Sequence, residues 1–143
     1  MYDGVNGTGE IQMKKDTVGQ GEKSEQIFQT ICFATYGYMV SDPISQVSYY
    51  DKIVDVNDRL LRVQVKTDQN GDGNVIVSQG TGGNKYPYSE TLDFFAIHMQ
   101  KINEWYIIPR SATEDHKHIR IALKREGKYT KYKNNWNFKE CMN

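Results

Sequence analysis

Two short segments could do chemistry together. Tyr50-Asp51-Lys52-Ile53-Val54-Asp55 is separated by Asn57-Asp58 from Arg62-Val63-Gln64-Val65-Lys66-Thr67, so an acid, an amide and a lysine fall within one candidate hairpin. Asparagine and aspartate tolerate positive φ, so Asn57 and Asp58 suit the two central positions of a tight primed turn. Val56 then faces Arg59, and counting back along both strands sets Asp51 opposite Gln64. Lys66, two residues beyond Gln64, points to the same face. Opposed Cβ atoms lie about 5 Å apart, close enough to share one metal ion or one phosphate.

A polar face of this kind stays in place only if its reverse is packed. Val54, Val56, Leu61, Val63 and Val65 supply that reverse. Upstream, Ile27, Ile31 and Ala34, flanked by Phe28 and Thr35, recur at helical spacing. Gly21 or Ser24 can serve the helix start, which predicts a helix over residues 22–36 ending near Gly37. Strands are expected at about 38–40, 50–56, 60–67, 74–78, 93–98, 104–109 and 118–123, with short helices near 111–115 and 136–141. One helix followed mostly by strands is an α/β (α+β) arrangement around a central mixed sheet.

Composition bounds the function loosely. A chain of 143 residues is the size of one domain, and its formal net charge is zero with a pI of about 6.8. The charge is unevenly spread: residues 1–55 hold eight acids against four lysines, a net of −4, and residues 110–143 hold nine basic groups against four acids, a net of +5. The basic segment is either a phosphate-seeking surface or a solvated one. Tyr129, Tyr132 and Trp136, interleaved with its lysines, are either base-stacking or core residues. Cys32 and Cys141 are far apart with no metal-ligand spacing, so a reducing cytoplasm is expected, with Cys32 a small buried helix residue. The residues read as carrying no secretory signal or bilayer-length apolar run, so no membrane span is expected. Residues 1–18, glycine-rich and polar, read as a flexible tail or the remnant of a longer upstream segment, before a domain at 19–143.

The acid, then amide-x-lysine, resembles the metal-binding core of the PD-(D/E)XK nucleases. Gly21-Glu22-Lys23-Ser24-Glu25, at the helix start, is similar to the Gly-x-x-x-Glu of archaeal Holliday-junction resolvases and of homing endonucleases encoded by group I introns. Tyr36-Gly37-Tyr38-Met39-Val40 resembles the turn into the first strand, and Tyr50-Asp51 the start of the metal-binding strand. Gln64-Val65-Lys66, Asp93-Phe94-Phe95-Ala96-Ile97 and Trp105-Tyr106-Ile107-Ile108-Pro109 resemble the intron-endonuclease branch, so the likeness covers about residues 19–139. It departs in two places: no proline precedes Asp51, and Gln64 replaces the second carboxylate. An amide oxygen can ligate a hard cation but brings no charge, so divalent-ion affinity rests more heavily on Glu25.

The resemblance implies a restriction-endonuclease-like core, a mixed sheet flanked by helices, and a metal-dependent DNA endonuclease. Glu25, Asp51 and Gln64 would hold one or two Mg²⁺ ions, with Mn²⁺ able to substitute, polarising the scissile phosphate and lowering the pKa of a bound water. Lys66 would orient that water and stabilise charge on the phosphoryl oxygens. Asp55 is a weaker supporting acid, with hairpin capping as its alternative role. Lys117, Arg120, Lys124, Lys128 and Lys131 would grip phosphates of double-stranded or branched DNA. Because one metal site cuts one strand, a homodimer or homotetramer is expected, with Tyr86, Tyr88, Trp105 and Trp136 as candidate contacts. The alternatives are a junction-resolving or repair nuclease and a catalytically silent nucleic-acid-binding module.

Other patterns are weaker. Asp68-Gln69-Asn70-Gly71-Asp72-Gly73 fits the first half of a calcium loop, but Gln79 stands where a bidentate glutamate is needed, and a glycine-rich hairpin explains it better. Gly80-Thr81-Gly82-Gly83 reads as a mobile loop without the lysine-serine ending of a phosphate loop. His116 and His118 alternate as two ligands could, but no third is near in sequence, and surface or phosphate-contacting roles are favoured. His98 reads as a satisfied core or edge histidine.

Overall fold

The computed structural model describes residues 17–45, 48–80 and 83–142. The expected tail lies outside the described residues except for Thr17 and Val18, whose backbone is already helical, and Thr81 and Gly82 of the glycine-rich loop also lie outside them. Helix α1 (Thr17–Thr30) begins five residues before the predicted start and runs through Gly19 and Gly21. Glycine weakens a helix, but a tertiary bond holds this first turn, since the Gln100 side-chain amide donates to Gln20 Oε1 at 2.6 Å. The helix widens into a π turn over Ile31–Thr35. It ends where Gly37, at φ +71°, lets the N–H groups of Gly37 and Tyr38 reach back to the carbonyls of Phe33 and Cys32.

Among the described residues nine strands follow: β1 (Met39–Ser41), β2 (Lys52–Val56), β3 (Arg59–Asp68), β4 (Asn74–Ile76), β5 (Ser78–Gln79), β6 (Tyr86–Pro87), β7 (Phe94–Met99), β8 (Glu104–Pro109) and β9 (His118–Arg120). Five form a mixed sheet in the order β1-β2-β3-β7-β8, in which only β3 and β7 run parallel. β4 with β9, and β5 with β6, form two-stranded ribbons. The β2–β3 hairpin has the expected register, Val56 opposite Arg59, with Asn57 at φ +50° and Asp58 at φ +67°. No helix among the described residues is long and apolar enough to cross a membrane.

The sheet is buried on both faces. On one, Phe28 and Cys32 of the helix meet Val54, Val56, Val63, Phe94, Ala96 and Ile107, and the Phe28 ring sits 5.8 Å from both Trp105 and Trp136. On the other, Phe95, Ile97, Tyr106 and Ile108 pack against Val75, Ile119, Tyr129 and Tyr132, so the ribbon β4–β9 does the covering. Every residue of β7 is consequently buried, as expected for a strand with a parallel neighbour inside a layered sheet. The aromatic residues of the basic segment are therefore core, and stacking on bases is not their role. Tyr88, Trp105 and Trp136 are likewise buried, which leaves Tyr86, 54% exposed, alone of the four suggested contact aromatics at the surface.

A short helix forms at Arg110–Thr113 as a 3₁₀ turn, but none forms at 136–141. There Asn134 and Phe138 take positive φ, and buried Asn135 binds the Ile107 and Lys139 carbonyls at 3.0 and 2.8 Å, spending its side chain on an irregular turn. A 3₁₀ turn lies earlier, at Thr130–Tyr132.

The loop from β3 to β4 is rigid. Both Asp68 carboxylate oxygens are occupied, accepting from Gly71 N–H at 3.0 Å and Gly73 N–H at 2.9 Å, so this is an Asx-stapled turn and not a calcium loop. Gly73, at φ +82°, accepts the Ile121 N–H on its carbonyl at 2.8 Å, and a Cβ there would lie 2.2 Å from the Ile121 oxygen. Gly73→Ala is expected to destabilise the fold by about 2–3 kcal/mol. Gly83→Ala, where a Cβ meets nothing within 4 Å, should stay close to wild type. Urea unfolding of both variants checks the pair.

Candidate active site

The site begins where β2 stops. Lys52 is the last β2 residue paired across the ladder, opposite Val63, and one step further sets Asp51 opposite Gln64. Asp51 still donates its N–H to the Val63 carbonyl at 2.9 Å, and its Oδ2 then accepts the N–H of Val65 at 2.8 Å. A carboxylate thus replaces a missing backbone partner and lies beside β3 at the strand end. Burial raises the Asp51 pKa, against the opposing pull of the Val65 hydrogen bond, Lys66 and Lys52.

Glu25 reaches the same place from the helix. Its neighbour Ser24 is fully buried and fastens α1 to the sheet. Thr67 Oγ1 donates to Ser24 Oγ at 2.8 Å, and Ser24 Oγ bonds His98 Nδ1 at 2.9 Å. The His98 ring stacks on Trp105 at 4.3 Å and bonds Asn103 Oδ1 through Nε2 at 3.0 Å. With Thr67 donating to Ser24 and Ser24 to Nδ1, the ring proton is assigned to Nε2, so His98 is the satisfied core histidine expected. Burial and the nearby charge of Asp51 raise the Glu25 pKa to about 7, with Asp42 and Glu22 adding in the same direction and Lys52 opposing.

Two participants escaped the reading of the sequence. Lys52 lies on the core side of β2 with Val54 and Val56, and its ammonium bonds Asp42 and, at 3.1 Å, Gln29 Oε1. Its alternation with two buried valines was a usable signal, because a lysine in such a row is buried only with a partner. Asp42 carried no signal, since only folding brings the segment after β1 to this side chain. Glu22, Glu25, Asp42, Tyr50, Asp51 and Lys52 line one cavity of about 630 Å³.

Gln64 and Lys66 approach from the other face of the sheet. Their parallel-strand neighbours are Phe95 and Ile97, both fully buried, so the hairpin's polar face is also the margin of a second core. Lys66 Nζ donates to the Tyr88 hydroxyl at 2.8 Å and stands 5.0 Å from the centre of that ring. Burial lowers its pKa, with Asp51 pulling the other way. It lines a second cleft, of about 570 Å³, with Thr67, Gln69, Asn70, Asn74 and Lys85. Asp55 lies four residues along β2 from Asp51, about 13 Å away, between Met39 and Leu60, too far to share its ligands.

Among the described residues no three His, Cys, Asp or Glu side chains form a metal cage. The available donor set is two carboxylates and an amide oxygen, all hard oxygen ligands; burial is the main cause of the raised pKa of both carboxylates, with neighbouring acids adding to it at Glu25, and a divalent cation would favour their charged forms. His116 and His118 are exposed and belong to no such group.

Lys117, Arg120, Lys124, Lys128 and Lys131 are all exposed. Arg120 and Lys124 line a cleft of about 420 Å³ with Gly71 and Asp72. Lys131 lies over the Tyr132 ring, while Lys128 lies over Tyr129 and is paired with Glu114.

Residues 15–139 match the profile of PD-(D/E)XK endonucleases. Among solved structures, the chain is similar to a bacterial homing endonuclease, I-Ssp6803I, with 21% identity and a TM-score of 0.72 over 85% of this chain and 90% of the other, a likeness of fold. No curated protein sequence matches it.

The raised pKa of Glu25 has a measurable consequence. Glutamate titrates at 4.5 when unfolded and Glu25 at about 7 when folded, so its contribution to stability is full below 4.5 and is lost as pH rises through about 7. Metal-free protein in EDTA is expected to lose unfolding free energy across that window, and Glu25→Gln to lose less. Equal slopes in urea titrations of the two proteins would show that Glu25 titrates like a free glutamate.

Proposed function

The chain belongs to the PD-(D/E)XK endonuclease family, and from that membership we propose that it is a divalent-metal-dependent endonuclease that hydrolyses phosphodiester bonds in double-stranded DNA, of the homing-endonuclease kind. The observation that carries this reading is the Asp51 carboxylate locked on the Val65 N–H at the end of β2, with Glu25 on one side and Lys66 on the other. The fold shared with I-Ssp6803I, itself a bacterial homing endonuclease, supports the choice of homing over junction resolution.

Glu25, Asp51 and the amide oxygen of Gln64 are the residues that would hold Mg²⁺, or Mn²⁺ in its place. The ion, when bound, supplies positive charge against the scissile phosphate and makes a bound water acidic. The chain's own residues do the rest. Asp51 is held in one orientation by its backbone hydrogen bond, so little reordering is needed on binding. Glu25 supplies the negative charge that Gln64 lacks. Lys66, shielded from bulk water and steadied by Tyr88, stabilises charge on the phosphoryl oxygens as the bond breaks. Lys52 neutralises Asp42 behind the carboxylates and limits their mutual repulsion. Lys117, Arg120, Lys124 and Lys131 grip the phosphate backbone; Lys128 does so only by leaving Glu114. One such site cuts one strand, so two copies related by a two-fold axis cut a duplex.

Linear duplex and a four-way junction, each incubated with Mg²⁺ and with EDTA, test the reading. Cleavage of the duplex in Mg²⁺ alone is expected, junction-selective cleavage would shift the assignment to a resolvase, and binding without cleavage would leave a silent module. Lys66→Ala should lower cleavage by about a hundredfold or more while DNA binding persists; full cutting by this variant sinks the site. Gln64→Glu adds a charge among the metal-facing oxygens and should tighten Mg²⁺ binding in calorimetry, whereas an unchanged affinity would remove Gln64 from the ligand set.

A further inference from the structure

The ribbon β4–β9 has one face accounted for and one not. Its register pairs Asn74 with Arg120, Val75 with Ile119 and Ile76 with His118. Val75 and Ile119 point into the second core. Asn74, Arg120, Ile76 and His118 alternate with them and are exposed, so the outer face carries two cross-strand pairs. Ile76 is 46% exposed, an apolar side chain standing among polar ones.

We infer that this outer face reads base edges in the major groove of duplex DNA, an inference that rests on the endonuclease function proposed above. The chemistry of the four side chains fits that occupant. A carboxamide matches the paired donor and acceptor of adenine, a guanidinium matches the two acceptors of guanine, an imidazole N–H can reach either purine N7, and an isoleucine can pack on a thymine methyl. Two strands about 5 Å apart enter a groove about 12 Å wide.

Charge and position point the same way. Lys117 immediately precedes β9, while Lys124 and Arg125, with Arg120, line the cleft at its far end; together they form a basic rim for the phosphates beside the groove. The acid in that cleft is Asp72, which accepts the Asn74 N–H at 3.0 Å and whose pKa is lowered first by that bond and also by Arg120. The ribbon is also rigid enough to read sequence: the Asp68 staple, the Ile121–Gly73 bond and a 2.9 Å bond from Val77 N–H to the Lys117 carbonyl fix both ends. The cleft containing Lys66 extends through Asn70 to Asn74 and Ile76, so the ribbon's face is continuous with the proposed reacting centre. Base contacts would fall beside the cut.

The probe is a library of linear duplexes with a randomised core, offered to the protein in Mg²⁺, with both bound and cut molecules sequenced. Wild type, Asn74→Ala and Arg120→Ala are compared after circular dichroism and urea midpoints confirm that the exposed substitutions leave the fold intact. Each variant is expected to lose roughly ten- to hundredfold discrimination at one base pair and to keep the rest of the preferred sequence. Lys117→Ala should weaken all sequences alike and flatten the salt dependence. Uniform weakening by Asn74→Ala and Arg120→Ala, an unchanged preference, or a wild type that cuts without preference would overturn the ribbon assignment while leaving the endonuclease reading intact. A wild type that neither binds nor cuts any duplex overturns the endonuclease reading itself.

Discussion

Where β2 stops, the N–H of Val65 has no backbone partner on that side, and the Asp51 carboxylate takes the vacancy. A buried N–H left unpaired costs on the order of 1–3 kcal/mol, so the strand end itself fixes Asp51. Being at the end of a strand, the carboxylate is open to both sides of the sheet. Glu25 can therefore meet it from the helical side and Lys66 from the other, an arrangement that an acid in mid-strand, committed to one face, could not support.

Holding those two neighbours requires different means. The helix is anchored one residue from Glu25 by the chain of hydrogen bonds from Thr67 through Ser24 to His98, and that chain starts one residue from Lys66. The helical and strand sides of the site are thus tied through adjacent residues, and the stack of His98 on Trp105 joins them to the aromatic cluster around Phe28. Lys66 is held instead by Tyr88, whose ring packs edge-on against Phe95 of the second core. Burying an ammonium is costly without partners, and this one has a hydroxyl, an aromatic face and a nearby carboxylate.

The same tension explains the charge pattern. Four acids, Glu22, Glu25, Asp42 and Asp51, line a single cavity against one lysine. Such clustering opposes folding: burial first, and then the charges of Asp51, Asp42 and Glu22 against the pull of Lys52, raise the Glu25 pKa to about 7. An array of hard oxygens of this kind is one that a divalent cation suits, as the proposed function requires.

Much was legible in the residues themselves. The turn at Asn57-Asp58, the opposition of Val56 and Arg59, the apolar row from Val54 to Val65 and the placing of Asp51 near Gln64 follow from local φ preferences and the two-residue period of a strand, which need no distant partner. The helix carrying Glu25 followed from its apolar spacing, though its start at Thr17 did not, because a bond from Gln100 supports the turn that glycines weaken. The tertiary structure alone decided the rest. Parallel pairing of β3 with β7 turned the far face of the hairpin into the edge of a core and so buried Lys66; long-range packing drew Tyr129, Tyr132 and Trp136 inward; and chain reversal after β1 brought Asp42 to Lys52. Each depends on residues far apart in sequence, and no local propensity or periodicity encodes which distant surface a given face will meet.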